Sequence, residues 1–240
     1  SGVTARYISK QGIEPERIRV IPNGVDVELF HPRPEEDGGV QSSPHGDTGT
    51  VNLLYIGTLA PWQGVDFLIE ALHQACSVAD APDLKLRILG PLRRQWVRPL
   101  EKLIAKRGLG ERVQLLPPVP HESVPALIGA SDICLAPLMP TERNTVQGCN
   151  PVKLFEYMAC GKAIIASRLP VVQEVLTDGE DAILFSPSKP NRLAECIVRL
   201  ARDEALRRSL GGNALRAVRE RYQWRHANEA LLEVYEGLAG

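Results

Sequence analysis

The apolar residues of the chain are concentrated in short, nearly continuous runs that are separated by longer amphipathic stretches. Six runs are predicted strands, and they occupy 51–57, 84–90, 113–117, 132–137, 162–167 and 181–185. Continuous rather than alternating apolar character is typical of strands that are buried on both faces of a parallel sheet. A further strand is predicted in IRVIPNGVD, ending at Pro22 before an Asn-Gly turn.

The stretches between these runs have helical spacing. VDFLIEALHQAC (65–76) is a predicted amphipathic helix, and a longer helix follows in which Pro99 is expected to introduce a kink. A short helix is predicted around HESVPALIGAS, and three helical patterns close the chain, with a break near Gln223. Strands that alternate with helices predict an α/β fold with a doubly wound, Rossmann-like parallel sheet.

In a sheet of this kind, ligands bind beyond the carboxyl ends of the strands. We therefore expect functional residues in the loops that follow four strand ends, namely Gly57, Gly90, Pro117 and Pro137.

The chain is organised around QGCNPVKLFEYMACGKAIIAS (147–167). Asn150 is a good helix N-cap, and Pro151 then occupies the first helical position, where its missing N–H does no harm. Gly161 is expected to end the helix before a buried strand. The apolar positions cover most of the helix circumference and predict a largely buried helix: Val152, Leu154, Phe155, Met158 and Ala159.

Lys153 and Glu156 are the polar exceptions in this helix, and they share one side of its first two turns. A cation here opposes the helix dipole, and an anionic ligand would remove that conflict. A nucleotide diphosphate fits, with Lys153 and the N–H groups of Val152 and Lys153 on phosphate oxygens and Glu156 accepting from a ribose diol. The alternative is an exposed i,i+3 ion pair without function.

Composition narrows the class of protein. A net charge of −1 gives no general attraction to nucleic acid or membrane, and 44% hydrophobic residues are ordinary for a globular domain. The five cysteines are scattered without metal-site spacing, and no apolar run is long enough to span a membrane. We expect a cytoplasmic protein that binds no nucleic acid.

Several segments together resemble the C-terminal half of a GT-B glycosyltransferase of group 1, the family 4 class. They include RIRVIPNGVDVELFHP, LLYIGTLAPWQGVDFLIEAL, LRILGP, VQLLPPVPHESVPALIGASDICLAP, NPVKLFEYMACGKAIIAS and VVQEVLTDGEDAILF, in the family's order. The resemblance implies transfer of a sugar, with retention, from a nucleotide-diphosphate sugar to a glycan or lipid-linked acceptor, as in polysaccharide biosynthesis. It implies no cofactor and no bound metal.

The resemblance also assigns residues. Lys153 would be the catalytic cation that stabilises the leaving diphosphate, and the family's ribose-binding glutamate falls at Glu156. The first-loop pattern G-R-x-x-x-x-K-G appears with Thr58 and Gln63 in place of both cations, and the sugar-contacting acid falls at Gly148. The predicted donor-binding set is Gly57, Thr58, Gln63, Pro118, Val119, Gly148, Asn150, Val152 and Glu156.

Several smaller interpretations stay open in the sequence. The backbone of Pro118 and Val119 could hold a nucleobase or form a rigid turn, and Trp62 could be a cleft wall, an interdomain contact or a surface anchor. Glu174 is predicted to be a solvated helix residue. Three arginines could replace the missing loop charge: Arg93, Arg94 and Arg143.

The same resemblance implies that the chain consists of four segments. Residues 1–32 would be the tail of an N-terminal domain and the crossover, 33–49 a mobile linker, 50–223 the nucleotide-sugar-binding domain and 224–240 a C-terminal crossover helix. The N-terminal acceptor-binding domain is missing, so this chain alone should be inactive, and that domain could also contact a membrane surface. The rival hypotheses are a non-catalytic nucleotide-sugar-binding module and, with less support, a sugar-nucleotide epimerase.

Overall fold

The computed structural model describes residues 1–32 and 49–239. In this part of the chain one parallel sheet has the strand order β3-β2-β1-β4-β5-β6. The strands are β1 (Thr50–Ile56), β2 (Asp83–Leu89), β3 (Val113–Leu116), β4 (Ile133–Ala136), β5 (Ala163–Ser167) and β6 (Ile183–Phe185). The order reverses between β1 and β4, so the doubly wound prediction is confirmed.

Helices connect the strands and continue to the end of the described chain. They are α1 (Gly2–Ser9), α2 (Val65–Cys76), α3 (Arg94–Lys106), α4 (Val124–Gly129), α5 (Val152–Ala159), α6 (Pro170–Gln173), α7 (Pro190–Arg202), α8 (Glu204–Arg221) and α9 (Trp224–Ala239). Short 3-10 turns lie at Pro15–Arg17, Pro61–Gln63 and His121–Ser123, and a π-helical turn spans Arg143–Gln147.

Both faces of the sheet are covered, which explains the continuous apolar runs. Successive β1 residues show this directly: Leu53 and Tyr55 belong to the core beneath α2, α3 and α7, whereas Leu54 belongs to the opposite core with α5 and α8. All three side chains are fully buried.

Strands β1 and β4 separate toward their carboxyl ends. Their pairing stops at Leu54 and Cys134. Beyond that point the backbone N–H of Ile56 donates to the Tyr157 hydroxyl of α5, at 2.9 Å, instead of to a neighbouring strand. A crevice therefore opens at the reversal of strand order, where ligands bind in doubly wound sheets.

Three local predictions are wrong. Residues 18–22 form no strand among the described residues, because nothing in that part of the chain pairs with them and Val20 is left exposed. Helix α5 begins at Val152, with Pro151 as N-cap and no capping side chain, so Asn150 is not the cap. Val152 itself is 43% exposed, in contrast to the buried position predicted for it.

Helix α1 was not predicted, and Glu174 holds its amino end. The Glu174 carboxylate accepts from the N–H groups of Gly2 and Val3, at 3.0 and 2.8 Å. Glu174 is exposed, as predicted, but it lies at the C-cap of α6 and also caps a distant helix. The predicted linker 33–49 lies outside the described residues except for Gly49.

Candidate functional site

A cavity of about 400 Å³ opens in the crevice between β1 and β4, and we call it the β1/β4 cavity. The loop after β1, the loop after β4 and the amino end of α5 form its walls. Its lining residues are Ile56, Gly57, Thr58, Trp62, Gln63, Leu138, Arg143, Asn144, Cys149, Asn150, Pro151, Val152, Lys153 and Glu156. Two of the four loops in which functional residues were expected, those after β1 and β4, border this cavity.

Glycines allow the strand-end loops to approach one another. A Cβ on Gly90 would overlap the carbonyl oxygen of Gly57, and one on Gly64, which has φ +71°, would overlap that of Pro137. Gly57 has φ +141°, and a Cβ there would lie 2.7 Å from the Lys153 Nζ. Gly57 therefore leaves the space that the Lys153 ammonium occupies.

Lys153 lies at the floor of the cavity and is only 9% exposed. Its Nζ donates to Gln63 Oε1 at 2.8 Å and lies 4.1 Å from the centre of the Tyr55 ring. The Tyr55 hydroxyl donates to the same Gln63 oxygen and to the Thr58 carbonyl, at 3.1 and 2.6 Å. These contacts fix the lysine but supply no full negative charge.

The pKa values of Lys153 and Glu156 are both shifted by burial. Burial lowers the pKa of Lys153 to about 7, with Glu156 and Cys149 acting in the opposite direction. Burial also raises the pKa of the Glu156 carboxyl, against the influence of His121 and Lys153. No ion pair to Lys153 occurs between described residues, and the exposed-pair interpretation is wrong because the lysine is buried. A partly desolvated cation without a partner carboxylate can bind an anion strongly.

The two loops around the cavity are fastened together by Asn144, which is 1% exposed. Its Nδ2 donates to the carbonyl oxygens of Trp62 and Met139, at 2.9 and 2.8 Å. The Met139 N–H also donates to the Trp62 carbonyl at 3.0 Å. Next along the π-helical turn, the Arg143 guanidinium lies over the Trp62 ring at 5.4 Å. Trp62 is thus a cleft wall, which was one of its three interpretations.

The structure brings together most of the predicted site residues. Lys153 and six of the predicted donor-binding residues line the β1/β4 cavity: Gly57, Thr58, Gln63, Asn150, Val152 and Glu156. Pro118 and Val119 are not in its lining; Pro118 is exposed, and Val119 packs against the core on the α5 side of the sheet. The ligand roles of all these residues stay predictions.

Gly148 also lies outside the cavity lining, against α1. Its φ is +83°, and a Cβ there would overlap the Thr4 hydroxyl and lie 2.7 Å from the Thr4 N–H nitrogen. An acidic side chain at position 148 would collide with α1, which gives a steric reason for the glycine.

A second cavity, of about 630 Å³, lies beside the amino end of α3, and we call it the α3 cavity. It is lined by Arg93, Arg94, Gln95, Arg98 and Pro99. Arg93 and Arg94 therefore do not border the β1/β4 cavity, whereas Arg143 does. Of the three arginines proposed to replace the missing loop charge, only Arg143 lies in the right place.

Sequence reasoning missed Tyr55 and Asn144. Tyr55 looked like a core strand residue, although a tyrosine at the carboxyl end of a strand is a usable signal because its hydroxyl needs a partner. Asn144 had no signal, since its role depends on two loops that are distant in sequence.

Within residues 1–32 and 49–239, no group of three or more His, Cys, Asp or Glu side chains could hold a metal ion. No described helix is both long enough and apolar enough to cross a bilayer.

Comparison with known proteins agrees with the fold. The family model described as "Glycosyl transferases group 1" matches residues 50–203, well over half of the chain. The D-inositol 3-phosphate glycosyltransferase of Acidothermus cellulolyticus is 28% identical over 96% of this chain and 50% of its own length. The chain thus spans about half the length of the curated relatives that it matches.

Two solved structures are similar across almost the entire chain. Sucrose-phosphate synthase from Thermosynechococcus elongatus has a TM-score of 0.83 and 23% identity, over 99% of this chain and 57% of that one. Anabaena HepE in complex with UDP also has a TM-score of 0.83, with 22% identity over 99% of this chain and 62% of that one.

Proposed function

The chain belongs to the group 1 glycosyltransferases, and on that premise we propose that it is the donor-binding half of a transferase that uses a nucleotide-diphosphate sugar. The observation that carries the proposal is the position of Lys153. A buried cation lies at the strand-order reversal, beside a helix amino end, with no described carboxylate paired to it. UDP bound to the structurally similar HepE supports the same ligand class here.

The walls of the β1/β4 cavity define the proposed binding mode. The diphosphate lies against the Lys153 ammonium and the N–H groups of Val152 and Lys153 at the amino end of α5. Glu156 accepts hydrogen bonds from the ribose hydroxyls, and Thr58 and the Gln63 amide donate to phosphate oxygens. Because Gln63 Oε1 is held by Lys153 and Tyr55, its NH2 group is the end that can donate.

Catalysis in this proposal is electrostatic. Negative charge accumulates on the diphosphate as the glycosidic bond breaks, and a cation that is already desolvated and fixed stabilises that charge without reorganisation. Lys153 meets both conditions, since it is buried and held by Gln63 and the Tyr55 ring. The neutral residues Thr58 and Gln63 contribute hydrogen bonds without full charge.

The acceptor side of the reaction is also a proposal. The relatives that the chain matches are about twice its length, which supports a partner domain that carries the acceptor site. We place transfer, with retention, in the cleft between the two domains, with a glycan or lipid-linked acceptor, a cytoplasmic location and no metal requirement.

Calorimetric titration of the chain with UDP, GDP and ADP tests donor binding directly. The proposal predicts that at least one diphosphate binds, and that the corresponding nucleoside without phosphates binds much more weakly. A chain that binds none of the three diphosphates would contradict it.

A non-catalytic nucleotide-sugar-binding module is the second candidate. It is favoured by the neutral residues Thr58 and Gln63 and by Gly148, where α1 leaves no room for an acid. The two candidates share diphosphate binding and differ in turnover. Sugar release or transfer by a protein that carries this chain together with the expected acceptor-binding domain would exclude the module, and binding without turnover of UDP-, GDP- or ADP-sugars would support it.

A further inference from the structure

The β1/β4 cavity lacks the two cations that its first loop would be expected to carry. Thr58 and Gln63 stand at those positions, and Gln63 is engaged with Lys153 and Tyr55. A diphosphate carries more negative charge than one buried lysine can balance. The charged side chains in the described lining are Arg143, Lys153 and Glu156, so any compensating cation in this wall is Arg143.

The protein holds Arg143 in place from two sides. Its guanidinium lies over the Trp62 ring at 5.4 Å, a distance at which a cation is attracted to the ring face. The neighbouring Asn144 ties the backbone of this turn to the Trp62 carbonyl and the Met139 carbonyl. The turn itself is a π-helix, a rare element that is frequent at functional sites.

Arg143 also differs from Lys153 in its exposure. Its side chain is exposed, whereas that of Lys153 is buried. Its planar guanidinium can bind two phosphate oxygens at once. The site therefore combines a buried lysine ammonium with an exposed arginine guanidinium.

We propose that Arg143 is a diphosphate-binding residue of this site and supplies, from the loop after β4, the charge that the loop after β1 lacks. This inference rests on the proposed function, because it assigns a residue for the same ligand. It places the second cation on the loop after β4, with its guanidinium over the Trp62 ring of the loop after β1.

The test measures affinity for UDP, UMP and uridine by calorimetry in wild type, Arg143→Ala and Arg143→Lys. We expect Arg143→Ala to weaken UDP binding by about 10- to 100-fold, the usual range for losing a charge-assisted hydrogen bond, and to leave uridine unchanged. Arg143→Lys keeps the charge but loses the planar guanidinium that lies over Trp62, so its affinity should fall between those of Arg143→Ala and wild type. Thermal unfolding confirms that each variant is folded.

A variant that restores a positive charge elsewhere in the cavity provides a second test. Thr58 is exposed and borders the same cavity, so Thr58→Arg in the Arg143→Ala background should recover most of the UDP affinity. Arg94→Ala is the matched control, because Arg94 lines the α3 cavity and should not affect binding. Arg93 is unsuitable as a control because it lies over Trp96, whose ring contacts Trp62.

The outcomes separate this inference from the function on which it rests. Wild type that binds no diphosphate would contradict the proposed function. Wild type that binds UDP, with Arg143→Ala binding equally well, would overturn the role of Arg143 alone. Equal losses for UDP and uridine would also overturn it, because they would show that the substitution disturbs the cavity rather than a phosphate contact.

Discussion

Two cavities lie at the amino ends of helices that follow strands of the sheet, α3 after β2 and α5 after β4, and they hold positive charge in opposite ways. The α3 cavity has three arginines on its wall, Arg93, Arg94 and Arg98, and none of them is buried. The β1/β4 cavity is smaller and has a buried lysine as its floor. Charge count favours the first cavity, whereas desolvation of the cation favours the second, and each cavity lies beside a helix amino end.

The difference teaches that an anion site depends on how its cations are held. The exposed arginines of the α3 cavity interact through water and salt, which screen them strongly, whereas the exposed Arg143 shares its cavity with the buried Lys153. Lys153 lies in a place from which water is largely excluded, beside the free N–H groups of a helix amino end, where each contact with an anion is stronger. The following predictions test this contrast, from the largest expected effect on UDP affinity to the smallest.

Lys153→Met should have the largest effect. It keeps the length and apolar stem of the side chain but removes the charge, so UDP affinity should fall by about 30-fold or more. Calorimetry measures the affinity. The free energy of unfolding should stay the same or rise, because a buried unpaired cation opposes folding. Undiminished UDP binding by this variant would refute the role of Lys153.

Gly57→Ala should have the next largest effect. The added methyl would lie 2.7 Å from the Lys153 Nζ, so the ammonium must shift, and UDP affinity should fall by about tenfold. The positive φ at this residue also predicts a lower free energy of unfolding, by about 1–2 kcal/mol.

Gly108→Ala separates these two effects, because Gly108 has φ +68° but open space around it. It should lower stability in the same way and leave UDP affinity unchanged. If both substitutions weaken UDP binding equally, the close approach of Gly57 to Lys153 is not what positions the ammonium.

The pH dependence of binding should follow the protonation of Lys153. Since burial lowers its pKa to about 7, about half of the free protein carries the ammonium at pH 7 and about a tenth at pH 8. If the ammonium form is the one that binds diphosphate, UDP affinity should fall about fivefold between these two pH values. Calorimetry at both values measures this change.

In Lys153→Met the same change in pH should have almost no effect, which separates Lys153 from the other titrating groups. Proton uptake on binding gives an independent readout, because the apparent enthalpy will depend on the buffer. A wild-type affinity that is constant from pH 7 to pH 8 would contradict the linkage of UDP binding to protonation of Lys153 in this range.

Arg94→Ala should have the smallest effect. The α3 cavity has charge but no buried cation, so removing one of its arginines should change UDP affinity less than twofold. A loss as large as that of Lys153→Met would reverse the comparison and make the α3 cavity the diphosphate site.

The sequence was sufficient for the sheet, because buried parallel strands and amphipathic helices leave strong periodic signals. The predicted helix at 65–76 matches α2 at both ends. The sequence was also sufficient to select Lys153 and Glu156, because both are polar in an otherwise apolar helix. In the structure both residues border the β1/β4 cavity.

The rest depended on contacts that no local pattern encodes. Asn150 has the chemistry of an N-cap, yet the helix begins later because Pro151 takes that position. Residues 18–22 have strand propensity, but a strand also needs a partner, and none is present in the described chain. The capping role of Glu174 joins positions that are 171 and 172 residues apart.

The close packing of α1 against Gly148 has a consequence for protein engineering. In a Gly148→Glu variant the positive φ of residue 148 would be strained and the new side chain would overlap the Thr4 side chain. We therefore expect this substitution to displace α1 rather than to add a carboxylate that contacts a ligand. A variant with an acid at position 148 would first need a smaller side chain at position 4 and a different backbone conformation at position 148. The order in which such changes accumulate is therefore constrained by the architecture.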